Sequence, residues 1–365
     1  MLRSTLADRL LPWFLRNARS MPWRGSADPW GILVSEVMLQ QTQVATVMPY
    51  WLSFMARFPD PASLARAPEA EVLKAWEGLG YYRRARMLQR TAQAVVARHG
   101  GQLPRDAAAL GQLPGIGAYT SGAVASIAFG ERVPAVDGNV LRVWSRWTGN
   151  DAPIDQVRTR ALCAQELQAE IPESAPGAFN ESLMELGATV CTPRRPACDA
   201  CPLASDCVAN REGRQGALPV KQDRVRARPV VMVRVVLERE DGVWIASGPE
   251  DGLLGGLVAL PGLVLEGSHP ARGLLVPPAH VLAAASRVRD GLGGSGAAPP
   301  EFWMRYPFRF THLHADFWVF RSRWLDKGHL PSGEGGWFPV GGLHELPWPT
   351  ALVPVRDGLL ERATC

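Results

Sequence analysis

A multidomain chain, with an all-α first part and an α+β second part, is the fold class this sequence predicts, and three observations lead there. Residues 1 to about 210 carry helix-spaced apolar positions joined by short Pro/Gly turns, with no period-two alternation. A basic stretch follows, in which Arg211, Arg214, Lys221, Arg224, Arg226 and Arg228 stand against Glu212 and Asp223. Beyond it, β-branched and aromatic runs are separated by turn residues. The boundaries read as 1–210 for the helical region, 211–228 for a basic linker and 229–365 for the α+β region. With 365 residues, 47% of them hydrophobic, each part can bury its own core.

Each element has a local reason. The first twenty residues form an amphipathic helix whose apolar run is broken by Asp8, Arg9 and Pro12, which does not suit a signal peptide. Asp28 and Pro29 start a helix through GILVSEVMLQQ. Val44 to Phe58 continues with helical spacing, Ser63 caps a further turn, and the helix after it ends at Gly78 and Gly80. A helix fits Arg83 to His99, and TSGAVASIAFG makes another of small residues. In the second part, VVMVRVVLERE and VWIASG form a hairpin around a DG turn. A helix fits Pro278 to Arg289, FWMRYPFRFTHLHADFWVFRSRW reads as strands, and GLGGSGAAPP reads as a loop.

Composition narrows the function. The net charge of +4 permits a nucleic-acid partner without requiring one. No stretch suits a membrane span, so a cytosolic location is expected. In that reducing compartment six cysteines do not suggest disulfides. Four of them, Cys191, Cys198, Cys201 and Cys207, follow C-x6-C-x2-C-x5-C within 17 residues. A loop so short has no core of its own, so a metal centre would organise it. Thiolate spacing alone leaves zinc and an iron–sulfur cluster both open. Cys163 and Cys365 stand apart and read as ordinary thiols.

Two other features suggest chemistry. LPGIGAYTS puts Pro114, Gly115, Ile116, Gly117 and Ala118 in a tight turn before a helix starting near Tyr119. Its backbone N–H groups suit a phosphate, although a plain helical connection uses the same residues. Glu36 sits among Ile32, Val37 and Leu39, where burial would raise its pKa and make it a general acid. An exposed helix glutamate is the commoner occurrence. Asp137, in VPAVDGNVLRV, fits a turn or a helix cap. Residue types alone do not pair the two acids.

Together these segments resemble the helix–hairpin–helix DNA glycosylase superfamily and, within it, the adenine DNA glycosylases. The resemblance rests on MPWRGSADPWGILVSEVMLQQTQVATVMPYW, WEGLGYYRRARML, LPGIGAYTSGA, PAVDGNVLRV, FNESLMELGATVCTPRRPAC and the cysteine loop. It implies a six-helix module over about 23–130, a second helical module carrying a 4Fe–4S cluster on loop 191–207, and a DNA-gripping cleft. It also implies a Nudix-like C-terminal domain for lesion recognition. GLLGGLVALPG matches that domain's early segment, while the Arg-Glu and paired-Glu pattern of a hydrolytic Nudix box is absent.

The implied partner is duplex DNA with adenine opposite 8-oxoguanine or guanine, bound by a monomer in the bacterial cytosol or nucleoid. The base must be flipped out of the stack. The resemblance gives Glu36 the protonation of adenine N7, and Asp137 the stabilisation or brief covalent capture of the sugar cation. Tyr119 and Asn139 would position Asp137 and the sugar. Trp23, Arg24 and Glu181 would line the base pocket. Gln41, Thr42, Leu79 and Tyr81 would enter the stack around the lesion. Tyr119 stands where lyase-active relatives carry a lysine, and Leu113–Ser121 holds none. Base removal without efficient strand cleavage is therefore expected, and an endonuclease III-like oxidised-pyrimidine glycosylase/lyase is the alternative. RFTHLHADF aligns with a Phe-Ser-His recognition loop, with Thr311 in place of the serine and His312 beside it.

Overall fold

The structure is a computed structural model that describes residues 5–26, 28–222, 227–247, 257–266, 276–293, 296–325 and 330–363. The chain forms two compact units. Met1–Ala67 joins Arg83–Asp223 in the first, and Pro68–Tyr82 joins Arg224–Cys365 in the second.

The helices run in chain order as α1 (Leu6–Asn17), α2 (Pro29–Leu39), α3 (Val44–Arg57), α4 (Pro61–Arg66), α5 (Glu69–Ala75), α6 (Arg83–His99), α7 (Ala107–Leu110), α8 (Ala118–Phe129), α9 (Gly138–Thr148), α10 (Val157–Glu170), α11 (Pro176–Thr189) and α12 (Val208–Arg211). All but α5 belong to the first unit. The Asp28 carboxylate accepts from the Trp30 and Gly31 N–H groups at 3.0 Å, and Pro29 fills the first helical position. The cap of α4 falls on Asp60, not on Ser63. The Asp60 carboxylate accepts the Ser63 N–H at 2.7 Å, and the Ser63 hydroxyl accepts the Asp60 N–H at 3.3 Å.

Helix α11 organises the first unit by packing on α1, α8 and α9. Phe179, Leu183 and Leu186 meet Leu10, Trp13 and Phe14 of α1 and Val140, Leu141 and Trp144 of α9. Each such fully buried side chain contributes about 1.5–3 kcal/mol of transfer free energy. Two glycines let neighbouring backbones touch α11. A Cβ on Gly177 would lie 2.7 Å from the Ile127 Cα of α8, and one on Gly187 would lie 2.6 Å from the Asn139 Cβ of α9.

The second unit is a mixed sheet of β1 (Arg228–Arg239), β2 (Gly242–Ser247), β3 (Val258–Ala259), β4 (Gly262–Glu266), β5 (Glu301–Arg309), β6 (Leu313–Arg323) and β7 (Gly335–Phe338). The strands order as β3-β2-β1-β6-β5, with β4 also on β1 and β7 also on β2. Strands β1 and β6 run parallel, from Arg228 opposite Leu313 to Glu238 opposite Arg323, and the other pairings are antiparallel. On β1, Val231, Val233, Val235 and Leu237 pack against α13 (Ala279–Gly291). Val230, Met232 and Val236 face the opposite core with Trp348, Leu352, Val355 and Leu359, the last two in α14 (Val353–Ala363). Burial on both faces explains why β1 reads as a nearly continuous apolar run.

Residues 68–82 belong to this unit through specific bonds. Glu77 pairs with both Lys74 and Arg356. The Lys74 Nζ donates to the Leu346 carbonyl at 3.2 Å, and the Tyr82 hydroxyl donates to the Trp348 carbonyl at 2.9 Å. Their sequence reads as uninterrupted helical region, because such bonds to a distant segment leave no local periodicity. Part of GLLGGLVALPG, together with Cys365 and four residues of the basic linker, lies outside the described residues.

Gly177→Ala tests the close packing of α8 and α11. The substitution gains about 1 kcal/mol of helix propensity, but overpacking against backbone costs about 1–3 kcal/mol. A net loss of stability in thermal or urea unfolding is expected, and a raised Tm would contradict the contact.

Candidate active site

Helix α2 is buried from Trp30 to Met38, so its one carboxylate is largely withdrawn from solvent. Glu36 is only 5% exposed and lines a cleft of about 890 Å³ in the first unit. Tyr119, in the first turn of α8, donates its hydroxyl to the Glu36 Oε2 at 2.5 Å, with the Met184 Sδ 3.2 Å away as a weaker acceptor. Burial pushes the Glu36 carboxyl up to about 7, with the Tyr119 hydrogen bond and Arg24 opposing and the charges of Asp137 and Glu181 assisting. Burial also raises the Tyr119 phenol well above its ordinary range, so the phenol stays a donor. Near neutral pH the cleft therefore holds a proton on a carboxylic acid.

Asp137 enters the same cleft as the N-cap of α9. Its Oδ1 accepts the Val140 N–H at 2.7 Å and its Oδ2 accepts the Asn139 Nδ2 at 2.8 Å. Burial raises its pKa, while both of those donors and the more distant Arg142 favour the ionised form. The two acids left unpaired by sequence thus share one cavity, one placed to hold a proton and one surrounded by donors suited to a charge.

A wall of alternating charges closes the cleft beside Trp23. The Arg24 Nε donates to the Glu181 Oε1 at 3.0 Å, its Nη2 to the Glu185 Oε2 at 3.1 Å, and its Nη1 to the Arg19 carbonyl at 2.8 Å. Burial raises the Glu181 pKa despite Arg24. Glu185 is as confined, yet its pKa is lowered, because donors from Arg19 and the charge of Arg24 outweigh burial. Glu185 and Arg19 escaped the sequence reading. The i, i+4 spacing of Glu181 and Glu185 on one helix was the available signal.

The other candidate residues divide between the units. Gln41, Thr42 and Asn139 line the cleft, and Gln41 adopts φ +61°. The Arg84 guanidinium fixes that rim through the Val37, Met38 and Gln40 carbonyls and the Thr42 hydroxyl. In the hairpin, Ile116 is buried, Gly115 has φ +78°, and Gly117 and Ala118 are exposed at the start of α8. The Thr91 hydroxyl holds the hairpin by donating to the Pro114 carbonyl at 2.6 Å. Leu79, Tyr81, Thr311 and His312 lie in the second unit. There the Tyr81 and Thr311 hydroxyls are 2.8 Å apart, and Tyr81, Thr311 and His312 line an apolar pocket of about 180 Å³ with Phe308.

Cys191, Cys198, Cys201 and Cys207 line one small cavity. Among the described residues, no three His, Cys, Asp or Glu side chains converge on a single ion position. Four thiols lining one cavity fit a thiolate-bound metal centre. Burial pushes the Cys201 thiol up to about 11, so its thiolate persists only when a cationic centre takes up its charge. The surroundings fit thiolate sulfur, since the Arg146 Nη1 donates to the Cys191 Sγ at 3.3 Å. The same helix, α9, carries Arg142, which donates to the Cys191 carbonyl at 2.8 Å and to the Asn139 Oδ1 at 2.8 Å.

Comparison with known proteins gives a consistent set of likenesses. Residues 34–168 match the HhH-GPD superfamily of base excision DNA repair proteins, and residues 191–207 match the iron–sulfur binding domain of endonuclease III. The cofactor is accordingly a 4Fe–4S cluster, which resolves the choice that thiolate spacing left open. The chain is 46% identical to the human adenine DNA glycosylase over 222 residues, covering 57% of this chain and 40% of the relative. It is 45% identical over 202 residues to that of Mycobacterium tuberculosis H37Rv, covering 53% and 64%. It is 29% identical over 262 residues to that of Buchnera aphidicola from Acyrthosiphon pisum, covering 72% and 75%. The match thus spans less than half the length of the human relative. A thermostable thymine-DNA glycosylase superposes with a TM-score of 0.52 at 28% identity, covering 56% of this chain and 95% of that one. Among the described residues no helix is long and apolar enough to cross a membrane.

The raised pKa of Glu36 has a stability consequence. The folded state keeps a proton up to about pH 7 that the unfolded chain releases near 4.5. Stability is therefore full below the lower value and falls by about 1.4 kcal/mol per pH unit up to the higher one. Glu36→Gln lacks that loss. Its Tm should exceed that of the wild type at pH 8 and converge with it at pH 5, and a pH-independent difference would contradict the buried acid.

Proposed function

Because residues 34–168 of this chain belong to the HhH-GPD superfamily of base excision DNA repair proteins, we propose that it is an adenine DNA glycosylase acting on adenine opposite 8-oxoguanine or guanine in duplex DNA. One observation carries the reading: a buried carboxylic acid that keeps its proton near neutral pH shares a cleft with a donor-surrounded carboxylate. Adenine is a poor leaving group until protonated, and cutting its N-glycosidic bond leaves positive charge on the sugar. The cleft supplies a group for each need.

An extruded adenine enters beside Trp23, Arg24 and Glu181. Glu36 protonates N7 as the bond stretches, and Tyr119 keeps the Glu36 carboxyl oriented. Asp137, held by Asn139 and the end of α9, stabilises the sugar cation or briefly bonds to it before water completes the hydrolysis. Strand cleavage is inefficient, because residues 113–121 offer no amine to form a Schiff base. The turn at 114–118 holds a DNA phosphate through its backbone N–H groups. Gln41, Thr42, Leu79 and Tyr81 occupy the stack around the lesion, while Thr311 and His312 contact the opposite base. Cys191, Cys198, Cys201 and Cys207 would hold the 4Fe–4S cluster, whose bonds to sulfur supply the rigidity of the loop. The recognition domain is residues 229–365 with segment 68–82 joined to it, the helical domain is the rest of 1–210, the linker is 211–228, and the protein acts as a monomer in the bacterial cytosol.

Duplexes bearing adenine opposite 8-oxoguanine, adenine opposite guanine, and thymine glycol opposite adenine test this directly. Alkali-dependent breaks at adenine alone are expected, and alkali-independent breaks at thymine glycol would favour an endonuclease III-like activity instead. Glu36→Gln should lose excision by about 10²-fold or more, the usual span of general-acid effects, while keeping mispair binding. Near-normal turnover would remove Glu36 from the acid role. Cys198→Ser should lose the broad visible absorbance of the cluster, and a colourless wild-type protein loaded with zinc would refute the cluster.

A further inference from the structure

We propose that Glu185 is a positioning residue of the excision reaction, holding Arg24 and Arg19 together so that the base-facing wall keeps its shape and Glu36 meets a charge-balanced neighbour. The inference rests on the reading of the cleft as the excision site.

Glu185 makes four polar contacts toward the wall and is 2% exposed. Its Oε1 accepts the Arg19 Nε at 2.7 Å and the Arg19 N–H at 3.1 Å. Its Oε2 accepts the Arg19 Nη2 and the Arg24 Nη2, each at 3.1 Å. Arg24 is thereby fixed on three sides, by Glu185, Glu181 and the Arg19 carbonyl, while its guanidinium carbon sits 5.0 Å from the Phe14 ring centre. A guanidinium held this way cannot swing toward Glu36.

The charges make a balanced set. Arg19 and Arg24 face Glu181 and Glu185, so the wall is neutral when all four are ionised. Removing Glu185 alone leaves one uncompensated positive charge beside Glu36. The other titratable groups around the cleft are Tyr119 from α8, Asp137 from the start of α9 and Arg160 from α10, and none of them contacts Arg24. A buried ion pair adds little stability over a well-packed apolar substitute, and α11 is already anchored by Phe179, Leu183 and Leu186. The contacts of Glu185 are thus spent on orienting the wall.

Single-turnover excision of adenine opposite 8-oxoguanine by cluster-loaded Glu185→Gln, followed against pH, tests this. Excess positive charge favours ionised Glu36, so the alkaline limb of the profile should move to lower pH. Each unit of movement would cost about tenfold in rate above the limb. Duplex binding and cluster absorbance should be unchanged. Glu185→Asp restores the charge and should return the limb toward the wild-type position. A uniformly slower enzyme with an unmoved limb, or a loss confined to duplex binding, would overturn the proposal. The carboxyl titration of Glu36, read by NMR of 13C-glutamate-labelled protein with Glu36→Gln as assignment, gives an answer that does not depend on catalysis. It should shift to lower pH in Glu185→Gln, and an unmoved titration also overturns the proposal. A wild type that excises no adenine would remove the glycosylase reading, while the titration still decides the role of Glu185.

Discussion

The start of α9 holds three parts of the first unit at once. Asp137 closes the helix by accepting the Val140 N–H, so the carboxylate in the cleft is also a structural cap. Asn139, two residues on, donates to Asp137 and accepts from Arg142, which reaches the Cys191 carbonyl. Gly187 of α11 lets that helix press against Asn139 with no side chain between them. The position of Asp137 is therefore over-determined: it cannot shift without breaking a cap, a side-chain relay or a backbone contact. The cysteine loop lies at the far end of the same helix, where Arg146 donates to the Cys191 sulfur and to the Thr192 carbonyl.

Glu36 shows the opposite strategy. A cap satisfies Asp137, but Glu36 is buried with one strong donor, the Tyr119 hydroxyl, and is destabilised as an anion. The fold tolerates it because α2 is buried from Trp30 to Met38, so the desolvation falls on one side chain while its apolar neighbours gain from burial. Functional sites commonly depart from local rules in this way, with the rest of the fold compensating. The charged wall of Arg19, Arg24, Glu181 and Glu185 then lets the cleft stay polar near that acid without leaving a net charge beside it.

Much of this was legible in the chain. The helix from Pro29, the α6 boundaries and the helix after the glycine turn follow from caps, spacing and Pro/Gly punctuation, which act within a few residues. The β1–β2 hairpin followed equally from its DG turn. The cysteine loop was legible because four thiols within a short loop must share a purpose. Ser63 is not the cap of α4 because the helix begins at Pro61, where the Asp60 carboxylate accepts the Ser63 N–H. The place of segment 68–82 in the second unit is hidden from local patterns for a different reason: its ties to Leu346, Trp348 and Arg356 span more than 260 residues of sequence.

The sequence by itself determined the fold class, the bounds of helices such as α6, the grouping of four cysteines in one loop and, through whole motifs, the resemblance to the superfamily. These depend on local periodicity and on segments long enough to be distinctive. Only the tertiary structure decided that Glu36 and Asp137 face one cavity, that Glu36 is starved of water enough to keep a proton, and that Glu185 braces Arg24 with Arg19. Those properties come from burial and from distances between residues remote in the chain. A pKa is set by the dielectric and the charges around a group, and a single residue in a sequence carries neither.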